Sequence, residues 1–158
     1  MSVPVIKPMS AVTGELPRDD AAWQFEPKWD GMRVVVRLDG GTVQASSRTD
    51  RDVTAEFPEL GDLASVADRA VLDGEVVAMG PDGRTSFGRL QQRFGVTDPI
   101  QVEARMRSVP AFYVVFDLLH LDGEDLWHLP LDERRRRLEQ VVDAGPTWRI
   151  TPAGRGHG

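Results

Sequence analysis

Glu26-Pro27-Lys28-Trp29-Asp30-Gly31-Met32-Arg33 runs directly into Val34-Val35-Val36. A charged block gives way to β-branched residues, which fit the pleated, half-buried surface of a sheet. Met32 to Leu38 reads as a strand, and Asp39-Gly40-Gly41 as the hairpin turn that sends the chain back through Thr42 to Ser47. Upstream, Trp23-Gln24-Phe25-Glu26 alternates and predicts a short strand. Before it, Met1 to about Ala22 predicts an extended lead-in, because Pro4, Pro8, Gly14 and Pro17 interrupt any helix.

Downstream, Phe57-Pro58-Glu59-Leu60 opens a helix expected to reach about Asp68, with Leu60, Leu63 and Val66 on one face. Ala70-Val71-Leu72, Asp73-Gly74-Glu75 and Val76-Val77-Ala78-Met79 read as one buried strand with acids set into it, closed by the turn Gly80-Pro81-Asp82-Gly83. Ser86 is a candidate cap for a helix containing Phe87, Leu90 and Phe94, and Asp98-Pro99 for the next one. Ala111 to Leu121, ending at Asp122-Gly123, predicts a central strand. Asp132 opens a last helix through Leu138, Val141 and Val142 that Gly145-Pro146 ends, and the Gly-rich tail after Thr147 is expected to fray. Hairpins with irregularly interspersed helices argue for an α+β domain with mostly antiparallel sheets and flanking helices, not a doubly wound fold.

The 158 residues suffice for one domain with a real core and are short for two. No apolar run approaches a membrane span, and Met1-Ser2-Val3-Pro4 lacks the pattern of a secretory signal. The absence of cysteine excludes disulfides, thiolate metal sites and cysteine nucleophiles, and fits a reducing compartment. A net charge of −6 counts against tight nucleic-acid binding by this chain alone. Lys7 and Lys28 are the only lysines, so Lys28 is not one of many surface lysines.

A lysine ammonium has a reference pKa of ~10.4 and must lose its proton before it can attack phosphorus, which burial and nearby cations favour. Glu26 and Asp30 pull the other way, so both should not pair tightly with Lys28. Gly31 suggests a close backbone approach or a positive φ. The plainer alternative is a surface salt bridge between Lys28 and Asp30. Ser47-Arg48-Thr49 follows a strand, Asp73-Gly74-Glu75 lies within one, and Phe116-Asp117 interrupts the most apolar run. Singly, Arg48 could be a solvated edge residue, Asp73 a turn acid and Phe116 plain core. Two acids in a buried strand nevertheless need partners.

In this order and spacing the chain resembles the covalent nucleotidyltransferases, most closely ATP-dependent DNA ligases of the bacterial end-joining type. The nucleophile motif Lys-x-Asp-Gly-x-Arg is matched by Lys28 to Arg33, Ser-Arg by Ser47-Arg48, Asp-Gly-Glu by Asp73 to Glu75, and Phe-Asp-x-Leu by Phe116 to Leu119. Lys7-Pro8-Met9, Phe57 to Leu60, Ser86-Phe87-Gly88, Leu90 to Phe94, and Pro130-Leu131 with Glu133-Arg134-Arg135 are similar to subsidiary stretches of these ligases. The resemblance implies part of a ligase/mRNA-capping-type, ATP-grasp-like nucleotidyltransferase domain. In it Lys28 takes AMP from ATP, Glu26 recognises the adenine edge, and Phe116 stacks on the purine. Arg48 and Glu75 contact ribose, with Glu75 near a Mg²⁺ or Mn²⁺ ion; Arg33 sits by phosphate, and Asp30 acts in nick sealing. The partners it implies are nicked double-stranded DNA, with end-joining repair proteins or a complementing C-terminal polypeptide, and no membrane. The location it implies is cytoplasmic and nucleoid-associated.

The Glu-Gly-Val/Leu-Val and Lys-x-Lys motifs of these ligases are not found in the chain. Residues 1–158 are therefore expected to be the N-terminal portion of an adenylation domain, without the C-terminal motifs or the OB-fold domain. Two alternatives remain open at this level: a catalytically dead nucleotide-binding or interaction module, and an enzyme acting on RNA ends. Arg134 to Arg137 reads either as a DNA-contact patch or as a solvated helix face in which Glu133 pairs with Arg137. His120, His128 and His157 are scattered and read as ordinary surface or turn residues.

Overall fold

The valine run does form a strand, and the sheet is built around it. The computed structural model describes residues 2–155. The strands are β1 (Gln24–Phe25), β2 (Met32–Asp39), β3 (Thr42–Ser47), β4 (Arg69–Ala78), β5 (Ala111–Leu121), β6 (Glu124–Asp125), β7 (Trp148–Ile150) and β8 (Gly154–Arg155). The helices are α1 (Phe87–Leu90), α2 (Pro99–Ser108) and α3 (Leu131–Val141). One sheet runs in the order β3-β2-β4-β5-β6 with β7 also on β5, and β1 pairs with β8 in a separate ribbon. All pairings are antiparallel except β5 with β7. The α+β expectation is met. Among the described residues no helix is long and apolar enough to cross a membrane.

Alternation along β2 assigns each residue to a face. Val34, Val36 and Leu38 join Leu72, Val76, Tyr113 and Val115 in the main core, which Phe57, Leu60, Leu63, Leu90 and Leu138 complete. On the opposite face Val35, Val71 and Leu119 are covered by Val3 of the lead-in, with Ile6 against them. The turn between β2 and β3 holds Gly40 at φ +59° and Gly41 at φ +81°, the left-handed pair that a two-residue hairpin requires.

Two predicted stretches meet in the core. Arg93 closes a 3₁₀ turn after α1, and Glu59 lies in a 3₁₀ helix spanning Pro58–Ser65. The Arg93 fork donates to both Glu59 oxygens at 2.8 and 2.9 Å, and to the carbonyls of Val109 and Glu56 at 3.0 and 2.7 Å. Its guanidinium carbon stands 5.1 Å from the Phe57 ring centroid. Arg93 is fully buried, and its partners satisfy the charge.

Several expectations are corrected. The helix opening at Pro58 is 3₁₀ and stops at Ser65, because Asp68 is drawn off to accept the Gly40 N–H at 3.0 Å and β4 begins at Arg69. The helix at Ser86 is a single α turn followed by a 3₁₀ turn that Phe94 closes. α3 is entered at Pro130, not Asp132, and ends before Gly145 because Val142 is already extended. The segment after Thr147 is a strand: Trp148, Arg149 and Ile150 pair with Tyr113, Val114 and Val115, and Trp148 is buried. His120 is not a surface residue. It is buried, its Nδ1 lies 2.8 Å from Asp125 Oδ1, and its Nε2 accepts the Gly123 N–H, which pins the β5–β6 turn. His128 is exposed, and His157 lies outside the described residues.

Replacing Arg93 by Met strands the Glu59 carboxylate in the core. The expected loss is about 3–5 kcal/mol of unfolding free energy, read as a lower urea midpoint at unchanged slope. Adding Glu59→Leu to Arg93→Met is expected to recover part of it.

Candidate active site

The block from Glu26 to Arg33 links β1 to β2 and is held against β4. A Cβ on Gly31 would overlap the Val76 carbonyl oxygen and lie 2.8 Å from Val77 Cγ1. The glycine therefore serves close approach, and its φ is not positive. Asp30 fastens the other side. Its amide donates to Thr85 Oγ1 at 3.2 Å, and its carboxylate accepts the Phe87 N–H at the start of α1 at 3.0 Å. Trp29 donates its indole N–H to Thr151 Oγ1 at 2.9 Å. Lys28 is thus carried on a loop tied down at the two residues that follow it, Trp29 and Asp30.

An open cleft of about 680 Å³ lies over the outer face of the sheet, within the usual size range of small-molecule sites. Glu26, Lys28, Arg33, Arg48, Glu75 and Phe116 all line it. Asp30 is not part of the lining; its carboxylate is occupied at α1. The alternative of a Lys28–Asp30 salt bridge is not realised, and Glu26 faces Arg135, at 3.5 Å. Neither carboxylate that flanks Lys28 in sequence is paired with it.

Phe116 owes its position to an irregularity in β5. Asp73 pairs with Asp117 and Gly74 with Val115, which leaves Phe116 as the extra residue between them. A bulge of this kind re-aims a side chain out of the regular ladder. Phe87 and Phe94 add an edge-to-face pair, centroids 5.7 Å apart, to the same cleft.

Arg33 is held by protein groups. Its Nε and Nη2 donate to Asp73 at 3.0 and 2.7 Å, and its Nη1 donates to the Met9 carbonyl at 2.6 Å. Its guanidinium carbon sits 5.3 Å from the Phe116 ring centroid. Burial pushes the Asp73 carboxyl up, and the Arg33 fork opposes that shift. Glu75 has no such fork. Burial raises it to about 7, against the pull of Arg33 and Lys28. Glu26 is also raised by burial, with Gln24 and Arg135 opposing.

Among the described residues no group of three His, Cys, Asp or Glu converges on a metal-sized site. Glu75 in the cleft can offer a single carboxylate, which suits a cation such as Mg²⁺ that keeps its waters and leans on substrate phosphates.

Some participants escaped the sequence reading. Arg51 lines the cleft and pairs with the buried Glu56. Ser10 and Ala11 of the lead-in form part of one wall. Arg134 and Arg135 do not belong to a solvated face. Arg134 makes a bidentate pair with Asp117 at 2.8 and 2.7 Å, and Arg135 is buried. Arg136 and Arg137 both bond Glu133, the second as expected, at 2.9 Å. All members of the run have carboxylate partners, so it is not a free cationic patch. The only advance signal was the need of Asp117 for a cation.

Residues 5–154 match the family model described as the ATP dependent DNA ligase domain. DNA ligase C2 of Mycolicibacterium smegmatis is 38% identical over 157 residues, covering 97% of this chain and 44% of that protein. The multifunctional non-homologous end joining protein LigD of the same organism is 39% identical over 141 residues, covering 87% of this chain and 17% of its own length. A solved mycobacterial DNA ligase D complexed with ATP and MES superposes with a TM-score of 0.77 at 36% identity, covering 94% of this chain and 47% of that one. The chain thus spans less than half the length of these relatives.

Two outcomes follow from the geometry. Because Glu75 binds its proton more tightly folded than unfolded, its contribution is intact below about pH 4.5 and is lost as pH rises toward about 7. Glu75→Gln should therefore exceed the parent in stability at pH 8, by on the order of 1 kcal/mol after solvent screening, with the gap closing toward pH 5 in urea titrations. Gly31→Ala should lower stability by about 1–3 kcal/mol in the same assay, since the methyl meets backbone.

Proposed function

The chain belongs to the ATP-dependent DNA ligase family, and from that premise we propose that it performs the lysine-adenylation chemistry of nick sealing. The neutral Lys28 amine attacks the α-phosphorus of ATP, the P–O bond to the β-phosphate breaks, and pyrophosphate leaves with AMP bound to Nζ as a phosphoramidate. The amine sheds its proton to solvent. In the parent reaction AMP then passes to the 5′-phosphate of nicked double-stranded DNA, and the 3′-hydroxyl displaces it.

The observation that carries this reading is the company Lys28 keeps. It shares one cleft with Phe116 and Glu75, and neither Glu26 nor Asp30 is paired with it. Phosphoryl transfer depends chiefly on positioning and charge stabilisation, so the remaining groups act as holders. Phe116 offers its face to the purine, Glu26 accepts from the base edge, and Arg48 meets the ribose. Arg33 is assigned to the phosphate side, where its bond to Asp73 makes it a fixed positive wall. Glu75 is assigned to the ribose, and its carboxylate would hold a Mg²⁺ or Mn²⁺ ion, which would supply neutralisation of phosphate charge. Asp30 is assigned to the later sealing steps. Residues 1–158 are taken as the N-terminal portion of an adenylation domain, acting in DNA end joining with repair proteins or a complementing polypeptide. A cytoplasmic, nucleoid-associated location accompanies that role.

Incubation of the purified chain with ATP and Mg²⁺, followed by intact mass measurement, tests the proposal. The expected result is a gain of one AMP, acid-labile and abolished by Lys28→Ala. ATP binding without an adduct would overturn it in favour of a catalytically silent nucleotide-binding module.

A further inference from the structure

Arg135 stands out because its charge is buried and incompletely used. On α3 it donates Nε to Glu139 at 2.8 Å and Nη2 to the Thr151 carbonyl. Its Nη1 is buried and has no hydrogen-bond partner among the described residues. Glu26 faces that orphan nitrogen, with Oε1 at 3.5 Å. That separation is an ion pair just outside hydrogen-bond range. An unmade bond at a buried donor is unfavourable, so Nη1 favours any movement of Glu26 toward it.

Glu26 has little else to hold it. Gln24, two residues earlier, donates Nε2 to Oε1 at 2.6 Å, and the carboxylate projects from an exposed residue into the cleft. Arg135 is by contrast fixed from two directions. Thr151 is itself pinned, its N–H donating to the Val115 carbonyl at 2.8 Å and its hydroxyl accepting from Trp29. The rigid member of the pair is therefore the arginine.

We infer that Arg135 is a positioning residue for Glu26, orienting the carboxylate so that one oxygen faces Nη1 and the other is presented to an exocyclic amino group on the base. This rests on the proposed function, in which Glu26 reads the base edge. It adds that base selectivity is set from α3 and from Thr151, just beyond β7, neither of which lines the cleft. A carboxylate anchored in this way accepts from a 6-amino group and repels a 6-oxo group, so it selects adenine over guanine.

The test compares two ligands by calorimetric titration against the 158-residue chain: ATP, and purine riboside triphosphate, which lacks the 6-amino group. The unaltered chain should prefer ATP by on the order of tenfold. Arg135→Met should lose most of that preference, weakening ATP while leaving the analogue nearly unchanged; Arg135→Lys should retain an intermediate ratio. Glu26→Gln and the double variant Glu26→Gln/Arg135→Met should show the same ratio as each other, because the arginine acts only through the carboxylate. Equal weakening of both ligands by Arg135→Met would reveal a purely structural role and overturn the inference, as would an unchanged ratio. If Arg135→Met does not unfold cooperatively, the lysine variant decides alone, and a parental ratio there overturns the inference. A parent chain that binds both ligands equally also overturns it, while adduct formation in that chain would leave the proposed function standing.

Discussion

The bidentate pair between Arg33 and Asp73 is the contact on which the cleft depends. It spans neighbouring strands β2 and β4 and brings a buried acid into balance with a cation. Removing one member would leave an uncompensated charge inside the sheet, a far larger penalty than the pair's net worth. The same guanidinium takes the Met9 carbonyl, which fixes the lead-in along one wall, and lies against Phe116, which limits the tilt of that ring. One side chain thus orders three parts of the site. Burial raises Glu75, two residues from Asp73 on the same face, to about 7, and the Arg33 fork does not reach it to offset that. The guanidinium is already committed next door, and what reaches Glu75 is only its field and that of Lys28.

A second layer of organisation ties α3 to the site. Asp117 follows the bulged Phe116, and the Arg134 fork that binds it anchors the helix under the sheet. Arg135 then faces Glu26, and the carbonyl of Thr151 joins β7 to the same arrangement. Nearly the whole arginine-rich turn is thereby consumed by local carboxylates. With a net charge of −6 overall, the chain offers no free cationic run on this helix.

What could be read in advance follows a physical rule. The strand at Val34, the glycine hairpin, the Ser86 and Asp98 caps and the strand from Ala111 depend on near neighbours in the chain, so side-chain period and turn chemistry expose them. The tail escaped because three residues of parallel pairing carry no period of their own; Trp148 is a strand residue only because Tyr113 lies beside it. The burial of His120 escaped for the same reason, since it depends on a turn that Asp125 and Gly123 close around it.

The order of the motifs around Lys28, Arg48, Glu75 and Phe116 was enough to identify the family, because that spacing is a property of the chain alone. Which carboxylate each arginine serves could not be found that way. That Arg33 holds Asp73 while lining the cleft, and that Arg135 leans toward Glu26, was decided by folding. Charge pairing at several ångströms is set by distance through space, and residues more than a hundred positions apart, such as Glu26 and Arg135, acquire that distance only when the sheet and α3 pack.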